Sequence, residues 1–352
     1  MIGGQKQSAE DGSIAVQAAG DVTISQGLTS VQMVEILSAL SSHVNTLVSS
    51  TREEMEGRLK SLEESIIERF ATDSTTRAEA FRDPDFLAAT LDAQKAFARS
   101  GEDGLKTMLT DLVAQRSKNT SRNRLTLTLN DAIQKVGSIP QSDLNTLSLI
   151  FLLKNVKHNG LVNLEGLAEF LSDSATSLLD DVSISESAFN YLAAHGCLLP
   201  LGIGEYSSAL EFLIKTYGQL VTKGETEENF RNVFSDYDIL TWAGLIVDSP
   251  YGRGLKRFSI AGSEMAKILG QIGVFGDHAE RYATLVASAM PSKEEFIEVM
   301  SVHFPRVDDF LSIYNETVFR SSRLTSIGIA LAHANLKTSP FLETDLSVWI
   351  TP

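Results

Sequence analysis

The chain has 352 residues, of which 43% are hydrophobic, so it has apolar material for two or three folded domains and is not a disordered protein. Its 45 acidic and 30 basic side chains give a formal charge of -15, which opposes non-specific attraction to nucleic acid or anionic lipid. Cys197 is the only cysteine, which excludes an intrachain disulfide and a cysteine-rich zinc site.

The amino terminus, MIGGQKQSAEDGS, has neither the basic start nor the apolar stretch of an export signal. The most apolar run, residues 147–156, is about half of the roughly 20 residues that cross a bilayer, so it predicts a buried helix. Together with the single cysteine, these features predict a cytoplasmic protein with no membrane partner.

Residues 1–27 predict a β-strand head. In 13–25, apolar and polar side chains alternate on both sides of a Gly20 and Asp21 corner. Because two short strands cannot bury an apolar side alone, we expect the head to pair with copies of itself in other subunits. A disordered tail and a strand that templates a strand of another protein are alternatives. The apolar positions of this head are Ile14, Val16, Val22 and Ile24.

Residues 28–72 predict a coiled coil, because apolar side chains recur at alternating steps of four and three, with one extra step of four between Thr51 and Met55. The long uninterrupted pattern favours packing between subunits, and the preceding β-head favours a trimer. An amphipathic helix that packs on its own domain would have the same spacing. The seam positions are Met33, Leu37, Leu40, Val44, Leu47, Met55, Leu59, Leu62 and Ile66.

Residues 73–225 predict a helical bundle. Pro84 is expected at the first position of a helix, and further helices are expected at 127–136, 142–156 and 164–179. A short strand is expected at the end of 189–201.

The most basic window of the chain is QRSKNTSRNR, residues 115–124, with four cations and no acid. Its composition indicates a solvated helix end. The alternative is an anion or nucleic-acid contact through Lys118, Arg122 and Arg124.

Residues 226–272 predict a winged-helix-like module, and 273–352 a C-terminal helical region. A helix is expected to end near Ala243, with strands at 245–248 and 256–260 on either side of a glycine-bearing turn, and another helix at 263–269. The wing would carry Arg253, Lys256 and Arg257, which are possible phosphate contacts. Packing on protein is the favoured role, because no groove-reading helix is evident.

No catalytic, cofactor or metal motif is recognisable in the sequence. The six histidines are scattered and form no HExxH pair. His195 and Cys197 lie too close in sequence to face one another, and the cysteine stands beside apolar leucines, so a structural role is favoured over a nucleophile and its base. The adjacent acids at 180–181 and at 308–309 point in different directions and predict no acid/base dyad.

Three segments, DPDFLAATLDAQKAFARSGEDGLKTMLTDLVAQR, LNDAIQKVGSIPQSDLNTLSLIFLL and KRFSIAGSEMAKIL, resemble in their order the abortive-infection alpha-like proteins of bacteria and related uncharacterised families. The resemblance covers residues 83–270 in outline and transfers no catalytic residue. It implies a role in defence against phage.

These features favour a mainly α, non-enzymatic, homo-oligomeric interaction protein without a cofactor, whose bodies bind an unidentified protein partner. The alternative is a DNA-associated regulator that uses the winged-helix-like module. An enzyme with a site dispersed along the sequence is the third hypothesis.

Overall fold

The computed structural model describes residues 30–119, 121–161, 163–201, 206–259, 281, 289–336 and 344–351; of 30–50, and of Gln219 and Thr317, it describes the backbone alone. The described chain is mainly α-helical, which confirms the predicted fold class. It divides into two compact units, Met1–Met55 and Glu56–Pro352. The predicted β-head, with Ile14, Val16, Val22 and Ile24, lies outside the described residues.

The helices follow one another in this order: α1 (Ser30–Thr72), α2 (Pro84–Ser100), α3 (Asp103–Ser117), α4 (Arg124–Val136), α5 (Gln141–Lys154), α6 (Leu164–Ala175), α7 (Glu186–Ala194), α8 (Ala209–Val221), α9 (Glu227–Val233), α10 (Tyr237–Trp242), α11 (Lys293–Met300), α12 (Val307–Asn315), α13 (Thr317–Arg320) and α14 (Ser326–Leu336). Short 3-10 helices span Ala78–Arg82 and Leu346–Val348. The strands are β1 (Leu198–Pro200), β2 (Glu225–Thr226), β3 (Ile246–Asp248), β4 (Leu255–Phe258) and β5 (Ser322–Leu324). No helix among the described residues is long and apolar enough to span a membrane.

The boundary between the two units falls inside α1. Leu62 and Ile66, in the second unit, are buried in the core of the chain's own body, whereas Met55, the last residue of the first unit, is 40% exposed. Arg58 fastens this part of the helix to the end of α2, because its Nη1 donates to the carbonyl of Ala98 at 2.9 Å. The assignment of Leu62 and Ile66 to an intermolecular seam is therefore wrong, since they pack within their own subunit.

The core of the second unit is built from α2 to α5 and α14. Helix α5 is buried along nearly its whole length, and α14, which lies near the end of the chain, packs against α3, α4 and α5. Antiparallel strands β1 and β5 pair Leu198 with Leu324 beside this contact. The sequence predicts a bundle at 73–225 and a separate C-terminal region at 273–352. The described residues of 289–351 instead pack into the same core as the bundle.

Local sequence explains how the bundle helices begin and end. Asp83 accepts a hydrogen bond from the backbone N–H of Asp85 at 3.0 Å, and Pro84 occupies the first turn of α2, as predicted. Gly101 ends α2 in the left-handed conformation, with φ of 70°. Asn123 and Thr126 close a reciprocal capping box at the start of α4.

A second, smaller core lies between α9, α10 and a three-stranded antiparallel sheet with the strand order β2-β4-β3. Ile246 pairs with Phe258 across β3 and β4, which occupy the positions of the predicted strands. The winged-helix assignment stays a prediction, and its helix at 263–269 lies outside the described residues. The residues of this smaller core are Phe230, Phe234, Tyr237, Leu240, Leu245, Ile246 and Phe258.

Candidate interaction surface

The most exposed large apolar side chain of the described residues belongs to α10. Tyr237 and Leu240 stand three positions apart and are buried against the smaller core, so the intervening and following positions face outward. Trp242 is 85% exposed and Ile239 is 46% exposed. A tryptophan left in water is the type of side chain that is enriched at binding sites between proteins.

The charged side chains of α9 and α10 are mostly acidic, and Arg281 donates to the carbonyl of Val233 at the end of α9 at 3.2 Å. Arg231, the one cation of residues 227–242, donates to Glu227 at 2.9 Å and to Asp238 at 2.9 Å, and it lies over the Tyr237 ring. The hydrogen bond to Glu227 is the largest cause that raises the pKa of Arg231. The charge of Arg231 is therefore paired with carboxylates of α9 and α10, and these two helices present no unpaired cation beside Trp242.

The three cations predicted for the wing do not form one basic surface. Arg257 is only 5% exposed, and its Nη1 donates to the carbonyl of Leu220 at 2.8 Å. Lys256 contacts Asp248 at 2.6 Å, and the pKa of Lys256 is raised chiefly by this hydrogen bond. Arg253 is exposed. The prediction that Arg257 lies on the wing surface is corrected, because its position in β4 turns it inward.

The basic window at 115–124 is also divided. Arg116 is buried and binds acids of the bundle, and Lys118 contacts Asp73 at 3.2 Å. Arg122 and Arg124 remain exposed. Of the predicted nucleic-acid contacts, Lys118 and Lys256 are thus engaged by carboxylates, and the structure does not gather the window into one cationic patch.

The predicted oligomerisation positions fall into three groups. Met33, Leu37, Leu40, Val44 and Leu47 lie on α1 in the first unit, where the structure describes the backbone alone. Met55 is exposed and Leu59 is half-buried, while Leu62 and Ile66 belong to the body core. The body core therefore buries Leu62 and Ile66, and an intermolecular seam stays a prediction for the positions before residue 56.

Cys197 and His195 do not form a nucleophile and base. The thiol is fully buried, burial raises the pKa of Cys197 to about 11, and its Sγ lies 3.9 Å from the backbone carbonyl of His195. The His195 ring instead contacts the carbonyl of Tyr191 through Nδ1 at 2.9 Å. A structural role for the two residues stays a prediction.

A polar cleft of about 960 Å³ in the second unit was not evident from the sequence, because its walls come from distant segments. Arg69 of α1 contacts Asp111 of α3 at 3.3 Å, and Asp345 stands nearby on the lining. Arg69 Nε and Thr110 Oγ1 are buried with no hydrogen-bond partner among the described residues. Arg69 and Thr110 line the cleft, but these two atoms themselves are not accessible from it.

Nearby hydrogen-bond donors determine the pKa of Asp73, which lines this cleft. Burial alone would raise the pKa of Asp73, but hydrogen bonds from Thr75 and from Lys118 outweigh it and lower the pKa to about 2. Asp73 consequently remains a carboxylate at neutral pH, and the cations that border the cleft are largely compensated.

Folding also brings Glu165, Glu169 and His303 together, although the histidine is far from both acids in the sequence. No spacing motif marks the set, because Glu165 and Glu169 lie on α6 and His303 lies after α11. It was missed for this reason, since sequence reasoning searches for ligands at short, fixed spacings.

A comparison with protein-family models finds one match, to an uncharacterised family, over residues 27–350. The match begins at the end of the predicted β-head and covers α1 and the body. No curated protein and no solved structure matches the chain.

Proposed function

This chain belongs to the uncharacterised family whose model covers residues 27–350, and from that premise we propose that it is a non-enzymatic, homo-oligomeric interaction protein. In this proposal, the N-terminal part of α1 joins several bodies, with a trimer favoured. Each body binds a protein partner through the α10 face, which is formed by Ile239, Trp242 and the acids beside them.

The exposure of Trp242 is the observation that carries the proposal. An indole with 85% of its surface in water loses little conformational entropy on binding and gains a large buried area, so it is suited to a pocket on a partner. The acids Glu227, Glu228 and Asp238 favour a partner whose pocket is surrounded by Lys or Arg.

The same charges weigh against the DNA-associated alternative. In a winged-helix module the helix at the position of α10 would approach the groove, and its surface here presents Asp238 and Trp242 rather than cations. Arg257 is buried and Lys256 is held by Asp248, so the wing has Arg253 as its one exposed cation. Phosphate binding requires several such charges.

Oligomerisation is supported by the arrangement of apolar positions on α1. Met33, Leu37, Leu40, Val44 and Leu47 recur at steps of four and three along a continuous helix, in a unit separate from the body core. Several joined bodies would bind a repetitive or multimeric target with avidity, because the second contact becomes intramolecular. The resemblance over residues 83–270 makes anti-phage defence the biological setting that we propose.

Light scattering after size exclusion tests the assembly. We expect the full chain to have about three times the mass of one 38.3 kDa chain, and a variant that begins at residue 56 to be a monomer. The cut at 56 keeps Leu62 and Ile66 in the body, so the truncated chain retains its core.

A matched pair of variants separates the seam from the rest of the helix surface. Leu40→Glu with Leu47→Glu places two charges on the seam and should dissociate the assembly, whereas Ser42→Glu with Ser49→Glu places them opposite the seam and should not. The same number of subunits in the full chain and in the truncated chain would contradict the proposed assembly.

Photo-crosslinking tests the α10 face. A photoreactive residue in place of exposed Thr241, irradiated in the native cells, should give protein adducts whose yield falls about tenfold or more when Trp242→Ala is added. The matched control is Val348→Ala, which shortens another exposed apolar side chain and should leave the yield unchanged. Adducts that contain nucleic acid would instead support the DNA-associated regulator, and a yield insensitive to Trp242→Ala would exclude this face as the docking site.

A further inference from the structure

Two carboxylates and an imidazole converge on one side of α6. Glu165 and Glu169 are four residues apart, which places them on the same face of the helix one turn from each other. His303 lies opposite, with Nε2 at 3.5 Å from Glu165 Oε1 and Nδ1 at 3.8 Å from Glu169 Oε1. One possible ligand atom from each residue lies within 4.8 Å of the others.

The backbone that supports these three side chains is fixed. Asn163 caps α6 by accepting the N–H of Gly166 at 2.8 Å, directly beside Glu165. On the opposite side, the N–H of His303 donates to the Met300 carbonyl, and the neighbouring Phe304 side chain is fully buried. The side chains themselves are partly or largely exposed, so they can adjust around a ligand while their Cα positions remain in place.

The surroundings of this cluster are negative. Glu165 and His303 line a cleft of about 540 Å³ whose other acids are Glu295 and Glu298. Glu295 contacts Lys223 at 2.5 Å. Among the described residues, no cation forms an ion pair with Glu298, and no Lys or Arg lines the cleft. The cleft therefore attracts a cation rather than an anion.

We propose that Glu165, Glu169 and His303 bind a divalent first-row transition ion of the Zn²⁺ type. One imidazole nitrogen with two carboxylates is a ligand set that such ions accept, whereas Mg²⁺ and Ca²⁺ favour oxygen ligands alone. Ligands at about 2.0 to 2.2 Å from a tetrahedral ion stand roughly 3.3 to 3.6 Å apart, so the widest pair must close by about 1 Å. Both glutamates are exposed, so rotation of their side chains would provide this closure.

An ion at this position would join α6 to the turn between α11 and α12. Three protein ligands leave one coordination position for water or for Glu298 on the same cleft wall. The site is independent of the α10 face and of the assembly through α1, so it stands whether or not those proposals hold.

Titration calorimetry of the untagged full chain with Zn²⁺ tests the site. We expect one ion for each chain, and a thermal unfolding temperature that rises with Zn²⁺, because an ion that binds the folded state alone stabilises it. Glu169→Gln and His303→Gln should each weaken the affinity at least about tenfold, and excess Mg²⁺ should not displace the ion.

The matched control is Asp173→Asn, which removes a carboxylate one turn further along α6 and outside the cluster. It should bind Zn²⁺ as the unmodified chain does. Circular dichroism without metal checks that all variants fold. Absence of stoichiometric binding, displacement by Mg²⁺, or equal affinities for Glu169→Gln and Asp173→Asn would overturn the site.

Discussion

Replacing Gly328 by alanine is expected to lower the free energy of unfolding by about 3 kcal/mol, because the added methyl group meets backbone rather than a movable side chain. A Cβ at this position would lie 2.1 Å from the carbonyl oxygen of Cys197. That oxygen also accepts the backbone N–H of Thr325 at 3.0 Å, so the carbonyl cannot withdraw without loss of a hydrogen bond. The bundle would have to separate α14 from the segment that leads into β1.

Urea unfolding followed by circular dichroism measures this effect. Gly57→Ala is the matched control, because its added Cβ would meet no atom within 4 Å beyond its own turn of helix, and the residue is inside α1. Alanine there should stabilise the helix by up to about 1 kcal/mol. If the free energy of unfolding of Gly328→Ala lay within about 1 kcal/mol of that of the unmodified chain, α14 and the segment that leads into β1 would separate easily, against this prediction.

Replacing Arg116 by alanine is expected to cost about 3 kcal/mol of stability, since it removes a buried cation that several elements share. Its side chain is 2% exposed and donates to Asp85 at 2.8 Å, to Asn130 at 2.8 Å and to the carbonyl of Asn119 at 2.8 Å. These contacts link the start of α2, the end of α3 and α4.

The effect of Arg116→Ala should depend on pH. Hydrogen bonds from Asn130 and from Arg116 hold the pKa of Asp85 below its usual value, so the stabilisation is complete above the usual carboxyl range and is lost as the pH falls through the lowered pKa. Urea unfolding at pH 7 and at about pH 3 should therefore give a smaller penalty at the lower pH. Arg124→Ala, at an exposed cation, should remain within about 0.5 kcal/mol. An equal loss of unfolding free energy in Arg116→Ala and Arg124→Ala would show that the buried contacts of Arg116 do not stabilise the fold more than an exposed cation does.

Local signals in the sequence predicted much of the helical body. The cap at Asp83 with Pro84 fixed the start of α2, and the strands on either side of the turn at 250–254 were recognised from their apolar residues and glycines. These features depend on interactions between near neighbours, which a single sequence contains.

Long-range burial could not be predicted in the same way. The spacing of Leu62 and Ile66 is the same for a seam between subunits and for a helix that packs on its own body, so the choice of partner needs the fold. Likewise, the sequence around Arg116 and Arg257 predicts surface cations. Their burial follows from folding, which places Asp85 beside Arg116 and the Leu220 carbonyl beside Arg257. The set of Glu165, Glu169 and His303 is another product of tertiary structure rather than of spacing.

The central position of α14 has a consequence for synthesis of the protein on the ribosome. Helix α5 is buried along nearly its whole length, and its partner Ser326–Leu336 is translated about 170 residues after α5 ends. Until that segment leaves the exit tunnel, the nascent chain displays the unpaired surface of α5, which is a target for chaperones and a route to aggregation. The body is thus expected to complete its fold only after α14 has left the tunnel, and a premature stop codon before residue 326 should give an insoluble product.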